Sequence, residues 1–126
     1  MAQKILIVDD EAVVARSMQK TLIRAGFEAQ VAANCTDGLK MFEAGGFALA
    51  LLDLNMPGFD GAPAPDAGLT LLSKIHERNA TFPVIILSAY DDASKAKEAV
   101  SRGARGFNIK GREQHLLDEL KSILQG

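Results

Sequence analysis

The sequence predicts an α/β domain, a parallel sheet of five strands with a helix after each one. Three observations carry that expectation. Short apolar runs alternate with longer amphipathic stretches along the chain. Three of the runs, Ile5-Leu6-Ile7-Val8, Leu49-Ala50-Leu51-Leu52 and Val84-Ile85-Ile86-Leu87, are continuously apolar, as strands buried on both faces must be. The runs also stop at chemically unusual residues: Asp9-Asp10-Glu11 after the first, Asp53 and Ser88 after the other two, and Lys110 after Gly106 to Ile109.

The elements follow in order. The first helix, residues 11–25, places Val14, Met18 and Leu22 at i, i+4 and i+8, with Gly26 supplying a left-handed cap. Glu28 to Ala33 reads as a weaker edge strand. Thr36 is positioned to cap a second helix carrying Leu39, Met41 and Phe42, which Gly45-Gly46 ends. Asp66 is positioned to cap the third, with Leu69, Leu72 and Ile75 inward. The fourth, Ala93 to Ser101, is alanine-rich and weakly patterned, so the loosest packing is expected there. The fifth, Glu113 to Leu124, is strongly patterned through Leu116, Leu117, Leu120, Ile123 and Leu124. Ala62-Pro63-Ala64-Pro65 cannot be helix interior, because each proline forces the residue before it into extended geometry. A long loop is therefore expected from about Asn55 to Asp66.

Composition narrows the class. The 126 residues are expected to form a single domain, 1–126, with enough chain for one real core. Fourteen basic against sixteen acidic residues leave a net charge of −2, which offers no footprint for nucleic acid or an anionic membrane. No apolar stretch approaches a membrane span, and no signal-peptide pattern opens the chain. The lone Cys35 excludes an internal disulfide, suits a reducing compartment and reads as a packing residue. A cytoplasmic domain is the expectation.

If the four runs are neighbouring parallel strands, carboxylates, a hydroxyl and an ammonium converge at their carboxyl ends, the edge where open α/β sheets bind ligands. Two adjacent acids followed by a third repel one another unless solvated or neutralised, and a carboxylate at a buried strand end needs a partner. Mg²⁺ meets both needs, because it prefers a few carboxylate oxygens plus water and phosphate oxygens. Asp53 as nucleophile would form an aspartyl phosphate. Lys110 would pair with a phosphate oxygen as a mobile point charge, and Ser88 would donate to another. His76 and His115 read as solvated helix residues.

Four segments resemble the receiver domain of two-component response regulators. They are Ile5-Leu6-Ile7-Val8-Asp9-Asp10-Glu11, Leu51 to Gly61 around Asp53, Pro83 to Ala89 and Gly103 to Lys110, and together they span essentially the whole chain. The resemblance implies the flavodoxin-like doubly wound fold with strand order 2-1-3-4-5. It implies that Asp53 is the phosphoacceptor. Mg²⁺ would be held by Asp10 directly, by Asp9 through water, and by Asp53 and the Asn55 carbonyl. Ser88 matches the switch hydroxyl, Lys110 the family's lysine and Phe107 the switch aromatic. Tyr90 and Asn55 stand where the family tunes access of water to the phosphate. The implied partners are a sensor histidine kinase or phosphotransfer protein upstream, and a fused or separate output domain downstream. The signal would leave through the fourth helix, fifth strand and fifth helix, a surface that also suits a homodimer. Such a domain is a signalling phosphoacceptor, not an enzyme acting on other molecules.

The chain departs from the family twice. Gly111 follows the lysine where proline is usual, and the Ala62–Ala67 insertion separates Asp60-Gly61 from the third helix. The insertion is expected to be either a tolerated surface loop or a shaper of partner recognition, and in both cases to leave the chemistry alone. A haloacid-dehalogenase-type phosphatase would need an Asp-x-Asp on its first strand, yet here the second position after Asp53 is Asn55 and there is no room for a cap domain. A flavin- or nucleotide-binding domain would need a phosphate cradle where Asp9-Asp10-Glu11 stands. A phosphorylation-independent interaction module on the same fold is disfavoured by the intact acidic set.

Overall fold

The computed structural model describes residues 2–54, 56–57, 63–64, 67–89 and 93–125. Five strands form one sheet: β1 (Lys4–Val8), β2 (Glu28–Ala32), β3 (Leu49–Asp53), β4 (Val84–Ser88) and β5 (Gly106–Ile109). Every pairing is parallel and the order is 2-1-3-4-5, as expected. The helices are α1 (Ala12–Arg24), α2 (Cys35–Ala44), α3 (Ala67–Arg78), α4 (Ala93–Ser101) and α5 (Glu113–Gln125).

The continuous apolar runs serve two cores at once. Leu6, Val8, Ala50, Leu52, Val84 and Ile86 face a cluster with α2, α3 and α4. Their neighbours Ile5, Ile7, Leu49, Leu51, Ile85 and Leu87 face a second cluster with α1 and α5. Every residue of β3 and β4 is buried, which is why neither strand shows the alternation of a half-exposed sheet.

Three local expectations are corrected. Asn34, not Thr36, caps α2: its extended backbone lets Oδ1 accept the Asp37 N–H at 2.8 Å, while Nδ2 donates to the Asp37 carboxylate at 3.1 Å. The stretch after Asp53 is not wholly loop, because Met56–Pro57 pairs antiparallel with Pro63–Ala64. His76 is half-buried rather than solvated, whereas His115 is exposed as expected and also has a polar partner. His76, in the last turn of α3, has Nε2 2.9 Å from the Phe82 carbonyl and Nδ1 3.3 Å from that of Arg102, just past α4. His115 Nδ1 lies 2.6 Å from Asn108 Oδ1. Gly26 does adopt the left-handed conformation after α1 (φ +97°). The proposed cap Asp66 lies outside the described residues, as do Asn55 and Tyr90.

Candidate active site at the carboxyl edge

Register assembles the site. Val8 pairs with Leu52 and Asp53 with Leu87, so Asp9 and Asp53 leave adjacent strands side by side. Ser88 pairs with Ile109, and Lys110 follows at once, donating its backbone N–H to the Ser88 carbonyl at 2.8 Å. Asp9, Asp53 and Ser88 are 1%, 3% and 2% exposed, polar groups at the rim of an otherwise apolar sheet. Asp10, one residue further on, is exposed.

Lys110 ties the edge together. Its Nζ lies 2.7 Å from Glu11 Oε1, 3.1 Å from Asp53 Oδ2 and 3.2 Å from Asp9 Oδ2. Burial is the largest single influence on this ammonium and would lower its pKa. The Glu11 hydrogen bond, the charges of Asp53 and Asp9 and the Asp53 hydrogen bond together outweigh burial and hold the pKa above the ordinary lysine value. Gly111 explains how the chain manages without the usual proline. Its φ of +93° is a left-handed turn that proline's ring forbids, taken just after Lys110 has reached the acids.

The acidic side is under-neutralised. Ligand oxygens of Asp9, Asp10 and Asp53 all lie within 4.8 Å of one another. Asp9 Oδ1 accepts the Glu11 N–H at 2.9 Å, but Oδ2 is buried without a hydrogen bond, and the Lys110 ammonium meets it only as an ion pair. That ion pair is the one contact this buried oxygen makes among the described residues, and a hard cation would give it a second. An all-oxygen donor set of this kind suits Mg²⁺ or Ca²⁺ rather than a softer metal.

Of the residues singled out from sequence, Asp9, Asp10, Asp53 and Lys110 come together, and Ser88 joins them through the strand register. Phe107 is half-buried against the α2–α4 core. Two features had escaped the sequence reading. Glu11 makes the shortest contact with Lys110. Asn108, 3% exposed in β5, donates to Glu119 at 2.8 Å and meets His115, a polar strut between β5 and α5. Its signal was an asparagine in an apolar strand beside a His–Glu pair at i, i+4. The Cys35 thiol is buried, and its pKa is pushed up to about 11, first by burial and then by the charge of Asp53. That fits a packing residue.

Fold and site define a flavodoxin-like α/β domain with an acidic, lysine-bearing carboxyl edge. The chain belongs to the response regulator receiver domain family, which it matches over residues 5–121. Such domains are the signalling phosphoacceptors of two-component systems. The chain is 31% identical to the response regulator protein FleR of Pseudomonas aeruginosa over 120 residues, covering 95% of this chain and 24% of that protein. It is 29% identical to the chemotaxis protein CheY of Treponema pallidum over 126 residues, covering 97% of this chain and 83% of that protein. The crystal structure of a CheY-like response regulator receiver domain protein from Methanospirillum hungatei superposes with a TM-score of 0.84 at 27% identity, covering 99% of this chain and 95% of that one. Among these relatives the chain spans only about a quarter of FleR but most of CheY. No helix among the described residues is long and apolar enough to cross a membrane.

Proposed function

We propose that residues 1–126 act as one receiver unit in the cytoplasm, and that Asp53 accepts a phosphoryl group from the phosphohistidine of a sensor kinase or phosphotransfer protein. The observation that carries this reading is Asp53 itself, a carboxylate 3% exposed at a central strand end, 3.1 Å from an ammonium and beside two further acids. An Asp53 carboxylate oxygen forms the new O–P bond as the N–P bond of the donor breaks, and the departing imidazole keeps the electron pair. Asp10, Asp53 and the Asn55 carbonyl would hold Mg²⁺, with Asp9 assisting through water. When bound, that ion would neutralise charge on the transferring oxygens. Lys110 takes one phosphoryl oxygen and Ser88 donates to another. Phe107 then carries the change to the surface of α4, β5 and α5, where an output domain, a separate partner or a second copy would read it. The domain catalyses only its own phosphorylation and dephosphorylation.

Incubation with acetyl phosphate and Mg²⁺ should add one alkali-labile phosphoryl group by mass spectrometry. Asp53→Asn should abolish the label and a chelator should suppress it. Full labelling of Asp53→Asn would sink the assignment.

A further inference from the structure

Lys110 has three ammonium protons. They face Glu11 at 2.7 Å, Asp53 at 3.1 Å and Asp9, whose two oxygens lie at 3.4 and 3.2 Å. All three protons are therefore committed, and the shortest contact goes to the most exposed partner. The Glu11 side chain is 58% exposed, against 0% for Asp9 and 4% for Asp53. Glu11 also forgoes a task close at hand. It is the N-cap residue of α1 yet makes no side-chain cap bond. Negative charge there is favoured by the free N–H groups of the helix; this side chain spans instead to the end of β5.

A phosphoryl oxygen arriving on Asp53 needs one of those protons. Withdrawing the ammonium from Asp9 or Asp53 would leave an oxygen that is out of reach of water with a bound cation as its one counter-charge. Withdrawing it from Glu11 only returns an exposed carboxylate to solvent. We propose that Glu11 is a positioning residue, the partner that Lys110 exchanges for the incoming phosphoryl group. It keeps the ammonium aimed at Asp53 in the resting state and is released when the phosphoryl group binds. This rests on Asp53 as phosphoacceptor and adds which contact is surrendered.

The test uses beryllofluoride with Mg²⁺ as the phosphoryl mimic, on protein labelled with ¹³C-glutamate. On saturation, the Glu11 side-chain carboxyl resonance should move to the position of a solvated glutamate. A Glu11 resonance that stays in place overturns the proposal. Affinity gives a second readout. Glu11→Gln should bind beryllofluoride about two- to fivefold more tightly, the range expected for losing a competing exposed ion pair. That gain should vanish in a Lys110→Ala background. An equal gain there would mark a general charge effect and overturn the exchange. Wild-type protein that binds no beryllofluoride would overturn the phosphoacceptor reading itself, which sets that failure apart from a failure of Glu11.

Discussion

Asp53 acts beyond the group it touches. Its charge, added to burial, helps hold the Cys35 thiol protonated up to about pH 11, against an ordinary value of 9.0. The sign of the consequence is fixed by linkage. Above pH 9 the unfolded chain loses the thiol proton while the folded chain keeps it, so the unfolded state binds fewer protons and stability falls as pH rises. The loss should run from about pH 9 to 11 and reach on the order of 2 kcal/mol. Lys110 adds a loss of the same sign only at higher pH, since its folded pKa lies above the ordinary lysine value. Urea unfolding of wild type and Cys35→Ala at pH 8, 9.5 and 11 separates the two. The variant should lack the first loss and keep the second, and parallel curves would refute the assignment to the thiol. Carboxylates at the ends of apolar runs were plain in the sequence. The partners of one side chain were not: Glu11 meets Lys110 across 99 residues, a pairing only the sheet order creates.

At the scale of elements, α3 is pressed onto the end of β3. The Gly68 N–H donates to the Leu54 carbonyl at 3.1 Å, and a Cβ on Gly68 would run into the Asp53 carbonyl oxygen and sit 2.9 Å from Leu54 Cα. Those obstacles are backbone and cannot rotate away. Gly68→Ala should therefore cost about 1–3 kcal/mol, read by urea unfolding, and should slow acetyl phosphate labelling because Asp53 must shift with its carbonyl. Wild-type stability with wild-type labelling would show that α3 has more freedom than this packing gives it. Helix existence and facing were legible from periodicity; Leu69, Leu72 and Ile75 are all fully buried as expected. Caps were less legible, because Asn34 and Thr36 are both good capping residues and the choice depends on where β2 releases the chain. Asn108 was hard to read for a related reason: a polar residue in an apolar strand is a signal whose meaning appears only when α5 brings His115 and Glu119 over it. Gly106 makes room for that arrangement, since a Cβ there would collide with the Glu119 carboxylate.

Across the whole molecule, rigidity is unevenly spread. The centre of the sheet is sealed between two cores, whereas α4 is pinned by one fully buried residue, Ala99, and leaves Val100 60% exposed. A helix held so lightly can move at small cost. It lies beside β5, whose Phe107 is only half-buried and whose last residue leads into Lys110. A phosphoryl group that repositioned Lys110 would thus act directly on the strand flanking the loosest helix, while β1 and β3 are held on both faces. On saturation with beryllofluoride and Mg²⁺, amide chemical-shift changes outside the site should concentrate in residues 93–101 and at Phe107. Hydrogen exchange in the unliganded protein should be fastest among the helices in α4. Lys110→Ala should not weaken Mg²⁺ binding, because it removes a cation from among the acids and leaves Asp9, Asp10 and Asp53 in place. It should, however, shrink the shift changes in 93–101 and at Phe107, because the ammonium is the link between Asp53 and β5. Equal changes in variant and wild type would show that the signal reaches α4 by another route, with Ser88 at the end of β4 as the remaining candidate.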